Sequence, residues 1–133
     1  MIPYLILLFI LSKSDFEING FTYRIVDDLN QTNTVQIINC SNKSDKNIQI
    51  FPKVTYESIE YKVISISSDA FSSTNISQFE IIYFPSTLLE IEDGAFSNFK
   101  NLNTIGYINE DNDLINNTLP PLLTKINDDV FSH

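Results

Sequence analysis

The chain has 133 residues, 43% of them hydrophobic, which is enough for one folded domain and excludes a disordered tail. Seventeen acidic residues against eight basic ones give a net charge of −9, which argues against binding to nucleic acid or anionic membrane surfaces. The single cysteine, Cys40, and the single histidine, His133, provide neither a zinc site nor a Cys–His nucleophile. No carboxylate stands in an acid–base motif and no glycine-rich phosphate loop is present, so we predict no enzyme and no cofactor or metal.

Residues 1–14 predict a secretory signal peptide. Ten apolar residues from Ile2 to Leu11 precede Ser12-Lys13-Ser14, whose small side chains suit a signal peptidase, and we expect cleavage after Ser14. A helix of that length spans about 15 Å, half of a ~30 Å hydrocarbon core, so a transmembrane anchor is the weaker interpretation. A buried N-terminal strand is the other alternative. The segment therefore predicts a secreted or cell-surface protein.

Residues 15–62 predict a β-meander. Phe16–Ile18 and Phe21–Val26 alternate apolar and polar residues on either side of Asn19-Gly20, the strongest short hairpin signal. Further strands are expected at Thr34–Ile38, Ile48–Ile50, Val54–Tyr56 and Ile59–Val63, the last two joined by a turn at Glu57-Ser58. We expect this small sheet to act as an N-terminal cap for the repeated units that follow.

From residue 63 to residue 133 an apolar pattern recurs. Ile66, Ile91 and Ile126 each follow an aliphatic residue by three positions and precede a small-then-large apolar pair by four. They lie 25 and 35 residues apart, a range typical of solenoids, in which each unit buries its apolar side against its neighbours. The pattern predicts about two and a half units, the last one incomplete. Its predicted core is Val63, Ile66, Ala70, Phe71, Leu88, Ile91, Ala95, Phe96, Leu123, Ile126, Val130 and Phe131.

The middle unit carries a family resemblance. Its frame, Phe79-x-x-Ile82-x-Phe84-Pro85-x-x-Leu88-x-x-Ile91-x-x-x-Ala95-Phe96, resembles the repeat of the BspA-like leucine-rich-repeat surface proteins. Residues 16–25 and 48–66 resemble the segment that commonly precedes those repeats. The chain departs from the family pattern where Ser67, Glu92 or Asn127 replaces a glycine and Phe99 replaces a cysteine. The resemblance implies a mainly β fold, a short leucine-rich-repeat solenoid behind a β-meander or hairpin cap.

In such a solenoid, residues 79–85 and 102–107 should form parallel strands of neighbouring coils. Phe79, Ile82 and Phe84 are then expected inside, stacked over Leu102, Ile105 and Tyr107. The outward positions would line a concave face, and the candidate binding residues there are Glu80, Ile81, Tyr83, Asn103 and Thr104, together with Gly106. On the opposite side we expect short helical turns at 68–71, 93–96 and 128–131, where an Asp or Ser oxygen caps unpaired N–H groups.

The greater spacing of the last unit comes from residues 108–118, which predict a solvated loop inserted between units. Asp111-x-Asp113 hints at a calcium loop, but Ile115 stands where a third oxygen ligand belongs. The sequence stops two residues past Phe131, which indicates either a truncated relative of a longer protein or an open end that pairs with another molecule.

Five Asn-x-Ser/Thr sequons lie in predicted loops and fit a secreted glycoprotein: Asn30, Asn39, Asn42, Asn75 and Asn116. Cys40 is interpreted as a small buried residue at a strand end, with an intermolecular disulfide as the alternative.

The resemblance implies a secreted or cell-surface protein that binds a protein or glycan on another cell or on matrix through the concave face. The alternative is a truncated remnant that binds nothing. It predicts poor solubility of residues 15–133 and recovery when one further repeat is appended. A secreted enzyme that uses scattered carboxylates would need a site that no motif indicates.

Overall fold

The computed structural model of the chain describes residues 15–28, 31–41, 46–72, 78–97 and 99–126. The predicted signal peptide, Val130 and Phe131 lie outside these ranges. The described residues form eleven strands in two sheets, one of seven strands and one of four. They contain no apolar helix of membrane-spanning length. The strands are β1 Phe16–Ile18, β2 Phe21–Asp28, β3 Gln31–Cys40, β4 Asn47–Gln49, β5 Lys53–Tyr56, β6 Ile59–Ile66, β7 Ile81–Pro85, β8 Glu90–Ile91, β9 Thr104–Ile108, β10 Leu114–Asn116 and β11 Lys125–Ile126.

Both predicted hairpins are confirmed. β1 and β2 pair antiparallel across Asn19 and Gly20, whose φ angles of 53° and 86° lie in the left-handed region that a tight two-residue hairpin turn requires. Glu57 and Ser58, with φ of 50° and 66°, join β5 to β6 in the same way. β3 then pairs antiparallel with β2 and parallel with β6, so the N-terminal strands continue directly into the repeats. β6 crosses residues 62 and 63 without a break, and the boundary between cap and repeats stays a prediction.

The prediction that Ile48–Ile50 continues the meander is wrong. β4 pairs parallel with β7 in the four-stranded sheet, where Ile48 lies opposite Ile82. The Ile50 N–H donates to the carbonyl oxygen of Tyr83 at 3.0 Å and extends this pairing by one residue. Alternation of apolar and polar residues predicts a strand but not its partner, because pairing depends on distant parts of the chain.

If each unit is taken to begin at its strand in the four-stranded sheet, β4 joins the first unit rather than the predicted cap, and each unit contributes one recurring strand to each sheet. β5 and β10 are additional strands of the first and third units. The first unit supplies β4 and β6, the second β7 and β8, and the third β9 and β11. The predicted parallel pairing of residues 79–85 with 102–107 is confirmed: β7 lies beside β9, with Ile82 opposite Ile105 and Phe84 opposite Tyr107. The mainly β repeat fold predicted from the sequence is therefore present.

A ladder of isoleucines runs through the seven-stranded sheet. Ile37 lies opposite Ile66, Ile66 opposite Ile91, and Ile91 opposite Ile126. The first three are fully buried, whereas Ile126 is 43% exposed. The expectation that Ile126 is a core residue is therefore wrong, because β11 pairs only with β8 among the described strands.

Phenylalanine rings fill the space behind the ladder. Phe71 and Phe96, which follow the small residues Ala70 and Ala95, have ring centroids 5.1 Å apart. Phe99 lies edge-on to both rings, at 5.1 and 5.0 Å. All five residues are buried, so the larger ring at position 99 fills the place that the family pattern gives to cysteine. Val63 and Leu88 are buried as well, and Leu123 is half-buried.

The predicted helical turns are shorter than an α-helical turn. The Ala70 N–H donates to the Ser67 carbonyl at 3.2 Å, so the chain closes between residues three apart. In the first turn the expected cap is replaced, because the oxygen that accepts from the Ser68 N–H, at 3.1 Å, belongs to Glu92 of the next unit. The turn predicted at 128–131 lies outside the described residues.

Residues 108–118 are a hairpin rather than the predicted loop. β10 pairs antiparallel with β9, so the insertion lies within the third unit and forms the edge strand of the four-stranded sheet. Asn109 holds the turn, because its Oδ1 accepts from the N–H groups of Asp111 and Asp113, both at 2.9 Å. The backbone at both aspartates is therefore ordered by an asparagine-centred turn.

Candidate functional site

The outer side of the four-stranded sheet is the candidate site. Its strand order is β10-β9-β7-β4, and side chains alternate between its two sides. Because Ile48, Ile82 and Ile105 face the core, their neighbours along each strand face outward. We define the outward face by the residues Asn47, Gln49, Ile81, Tyr83, Thr104, Gly106 and Asn116.

The five predicted binding residues divide between this face and its rim. Ile81, Tyr83 and Thr104 lie on the face and are half-buried. Glu80 and Asn103 precede their strands and lie at the rim, where the Glu80 carbonyl accepts from the Asn103 N–H at 2.9 Å. The predicted set therefore describes the middle of the sheet and omits both of its outer strands.

Four residues form a row straight across the face. Gln49 pairs with Tyr83, Tyr83 with Gly106, and Gly106 with Asn116, so each strand contributes one member. The side of the Tyr83 ring covers Gly106: a Cβ added there would lie 3.0 Å from both Cδ1 and Cε1 of the ring. The Tyr83 hydroxyl then donates to Oδ1 of Asn116 at 2.7 Å. Glycine at position 106 lets the tyrosine lie across β9 and hold the inserted hairpin.

The outward face carries no ionisable carboxylate or ammonium group. A charged pair lies at the rim, where Lys46 Nζ is 3.8 Å from Glu80 Oε2. Both hydroxyl groups of the face are engaged, since Thr104 Oγ1 donates to Asn103 Oδ1 at 2.8 Å. In a chain with a net charge of −9, the residues that define the face are neutral and present amides, one aromatic ring and the aliphatic Ile81. Leu114, two residues before Asn116 on the same side of β10 and 46% exposed, adds an aliphatic side chain at the edge.

Asn47, Gln49 and Asn116 were not predicted as members of the face. The first two lie on β4, which sequence alone groups with the cap, and the third lies on the inserted hairpin. One signal was present in the sequence: Ile48-x-Ile50 repeats the spacing of Ile82-x-Phe84. That match would have placed β4 beside β7.

A groove lies in the N-terminal region. It has a volume of about 520 Å³ and opens between the first hairpin, β5 and the turn that joins β9 to β10. Phe51, at its wall, is 44% exposed, and Tyr23 lines it with a buried ring. Burial, with a smaller contribution from Cys40, raises the pKa of Tyr23 to about 12. Cys40 itself is fully buried at the end of β3, as expected for a structural thiol.

An aromatic stack closes the N-terminal strands on one another. The rings of Phe16 and Tyr56 are nearly parallel, with centroids 4.2 Å apart, and Tyr61 lies 5.7 Å from Phe16. These contacts bring β1 against β5, although the two strands share no backbone pairing in the described sheet. The groove beside them is therefore shaped by side-chain packing between segments far apart in sequence.

Two of the five sequons lie in described strands, so the expectation that all are in loops is wrong. Asn39 belongs to β3, pairs with Thr22 and is half-buried. Asn116 ends β10 and is exposed. Asn30, Asn42 and Asn75 lie outside the described residues.

No family model matches the chain, and no curated protein matches it. Solved structures do match it. A leucine-rich-repeat protein from Bacteroides ovatus is 27% identical with a TM-score of 0.63, over 90% of this chain and 33% of its own. A leucine-rich cell surface protein from Faecalibacterium prausnitzii is 20% identical with a TM-score of 0.60, over 86% and 27%. A leucine-rich-repeat protein from Bacteroides capillosus is 23% identical with a TM-score of 0.57, over 71% and 65%.

These likenesses confirm the predicted leucine-rich-repeat fold and the resemblance to leucine-rich-repeat surface proteins of the BspA-like type. The chain spans 27% to 65% of the length of the three solved proteins. The fold is therefore shared, and only a part of each longer protein is matched.

Proposed function

We propose that this leucine-rich-repeat chain is a secreted or cell-surface binding protein whose outward face contacts a protein on another cell or on extracellular matrix. The observation that carries the proposal is the row Gln49–Tyr83–Gly106–Asn116, which extends across all four strands. It presents exposed amides beside an aromatic ring that is hydrogen-bonded to Asn116. A location outside the cell is supported by the apolar segment 1–14 and by the cell-surface description of the Faecalibacterium protein.

The composition of the face favours a protein ligand. Energetically important positions of protein interfaces are enriched in tyrosine, and the rim around them is usually polar. Here Tyr83 and Ile81 occupy the centre, whereas Asn47, Gln49 and Asn116 are exposed around them. Because Tyr83 is already held by Asn116, binding does not have to order its side chain.

Binding without catalysis is part of the proposal. The outward face offers two hydroxyl groups, those of Tyr83 and Thr104, and each donates to an asparagine oxygen. Neither is paired with a base that would activate it as a nucleophile. Self-association through the C-terminal end stays a separate prediction, because residues 127–133 lie outside the described part.

The test replaces two exposed residues on the outer strand β4, Asn47→Arg with Gln49→Arg, and measures binding to cultured epithelial cells and to plates coated with extracellular-matrix proteins. We expect binding to fall by about tenfold or more, equivalent to at least about 1.4 kcal/mol, because two bulky charges then stand on the neutral face. Tm should stay the same, since both side chains are exposed.

Thr32→Arg is the control for an arginine added outside the face, because Thr32 is exposed on β3 in the other sheet, and each single variant, Asn47→Arg or Gln49→Arg, matches its change of charge. It should bind like the unmodified chain. If the double variant also binds normally while folded, the outward face is not the binding surface. If the unmodified chain binds neither cells nor matrix, the result supports the alternative that the chain is a truncated remnant that binds nothing.

A further inference from the structure

The two sequons in described strands differ in their surroundings. Asn116 is the last residue of β10, the edge strand of the four-stranded sheet, and its side chain is exposed. Asn39 is half-buried within β3, pairs with Thr22 and precedes the fully buried Cys40. A transferase must bring its catalytic groups up to the asparagine amide, so exposure favours Asn116.

The backbone after Asn116 also suits an acceptor site. Asn117 has a left-handed φ of 60°, so the chain turns away from β10 directly after the asparagine. Thr118, the hydroxyl residue of the sequon, is exposed. Both side chains that define the sequon are therefore accessible on one short turn at the edge of the sheet.

The hydrogen bond to Tyr83 leaves the reactive atom of Asn116 available. The Tyr83 hydroxyl donates to Oδ1 at 2.7 Å, whereas a sugar is carried on Nδ2. A glycosylated asparagine keeps its carbonyl oxygen, so modification does not remove this acceptor. The row across the outward face can persist with a glycan attached at its end.

We propose that Asn116 is an N-glycosylation site and that Asn39 is not. The donor is an oligosaccharide linked to a lipid through a diphosphate. Asn116 Nδ2 attacks the anomeric carbon, so that an N–C bond forms while the C–O bond to the diphosphate breaks. The lipid diphosphate leaves with the bonding electron pair, and the nitrogen loses one proton to a carboxylate of the transferase.

A glycan on Asn116 also restricts access to the outward face, a consequence that rests on the proposed function. Asn116 lies at one end of the row, within hydrogen-bond distance of Tyr83 at its centre. A hydrated, bulky oligosaccharide there occupies the approach to the ring. Occupancy of the site therefore lowers the affinity of the face for a protein ligand.

The site is tested by secreting the full chain from cultured eukaryotic cells behind an added secretion signal. Thr118→Ala removes the sequon but keeps Asn116 and its contact with Tyr83, whereas Thr118→Ser keeps the sequon. Trypsin releases residues 101–125, which contain this sequon and no other. Mass spectrometry should find that peptide glycosylated in the unmodified chain and in Thr118→Ser, and unglycosylated in Thr118→Ala.

Fragmentation of the tryptic peptide 25–43 should show Asn39 unmodified. An unglycosylated Asn116 in the secreted, folded chain overturns the site. If Asn39 is glycosylated and Asn116 is not, side-chain exposure does not decide which sequon is modified, and the proposal is overturned.

The shielding is tested on the same coated plates. Thr118→Ala from eukaryotic cells should bind severalfold more than the glycosylated chain, and the two should bind equally when made in bacteria, where the glycan is missing. Equal binding of the eukaryotic pair overturns shielding. If none of the four preparations binds, both the proposed function and the shielding are overturned. The proposal that Asn116 is glycosylated is then judged by mass spectrometry alone.

Discussion

Gly106 is the residue on which the outward face depends most directly. Its missing side chain lets the Tyr83 ring cross β9 and lets Tyr83 reach Asn116 on the next strand. A Cβ at this position would lie closer to the carbonyl oxygen of Ile115 than to the ring, so backbone as well as side chain would have to move. A substitution here therefore strains the hairpin and the row together.

Gly106→Ala should lower the free energy of unfolding by about 2 kcal/mol, the usual cost of overpacking a tight site. Urea denaturation followed by circular dichroism measures the change. Thr104→Ala is the control on the same strand and face, and it should cost less than about 1 kcal/mol. A loss below about 0.5 kcal/mol for Gly106→Ala would contradict the close contact.

Tyr23 should make the free energy of unfolding decrease at high pH. Its pKa is about 12 in the folded chain, against the ordinary 10.0 of an exposed tyrosine, because burial disfavours the phenolate. Stability is therefore complete below pH 10, where both states keep the proton. It falls as pH rises from 10 to 12, where the unfolded chain loses this proton more readily.

Between pH 10 and 12 the unmodified chain should lose about 2 to 3 kcal/mol more of its free energy of unfolding than the Tyr23→Phe variant does. The measurement is the difference in unfolding free energy between the unmodified chain and the variant across that range. Other groups that titrate there contribute equally to both proteins and cancel. Parallel pH curves for the two proteins would show that Tyr23 titrates normally.

At the scale of elements, neighbouring units are joined by more than strand pairing. Glu92, which follows β8, accepts the Ser68 N–H of the preceding unit with its carboxylate. This contact satisfies a turn N–H that has no partner within its own unit, the task that a capping residue performs for a helix. The family pattern has glycine at this position. Here the residue is a glutamate, and its carboxylate joins two neighbouring units.

Glu92→Ala should lower the free energy of unfolding by about 1 kcal/mol, the typical cost of losing such a cap. Thermal unfolding at neutral pH is the measurement. Glu110→Ala provides a control with the same change of charge, because Glu110 is exposed in the turn between β9 and β10. Equal Tm values for the two variants would show that the contact between Glu92 and Ser68 does not stabilise the chain.

At the scale of the whole molecule, stability comes from side chains that are shared between units. The isoleucine ladder is buried at Ile37, Ile66 and Ile91 and emerges at Ile126. A position inside the ladder touches the units on both sides, whereas one at its end touches only one. The same residue type should therefore have very different energetic weight along the ladder.

Ile91→Ala should cost about 3 to 4 kcal/mol, because it leaves a cavity between two units. Ile126→Ala should cost about 1 kcal/mol or less, because that side chain is 43% exposed. Chemical denaturation of both variants measures the contrast. Similar losses at the two positions would indicate that stability does not accumulate through the ladder.

Part of the candidate site could be predicted because the repeat carries its own register. Ile82 and Ile105 were recognisable as inward positions, so Ile81, Tyr83 and Thr104 followed as outward ones. Gln49 and Asn116 did not follow. The strand of Gln49 carries only the short match of Ile48-x-Ile50 to Ile82-x-Phe84, and the strand of Asn116 belongs to an inserted hairpin that does not recur in the other units.

Features that depend on local chemistry or on recurrence follow from the order of the amino acids alone. Asn19-Gly20 specifies a tight hairpin, and the recurring isoleucine and phenylalanine positions specify stacked units, because each of these is set by nearby residues. The identity of neighbouring strands emerges only in the folded chain, with β4 beside β7 and β10 on the edge of β9. Alternation of apolar and polar residues determines which side of a strand is buried. The partner of the strand depends on distant segments, which compete for the same backbone hydrogen bonds.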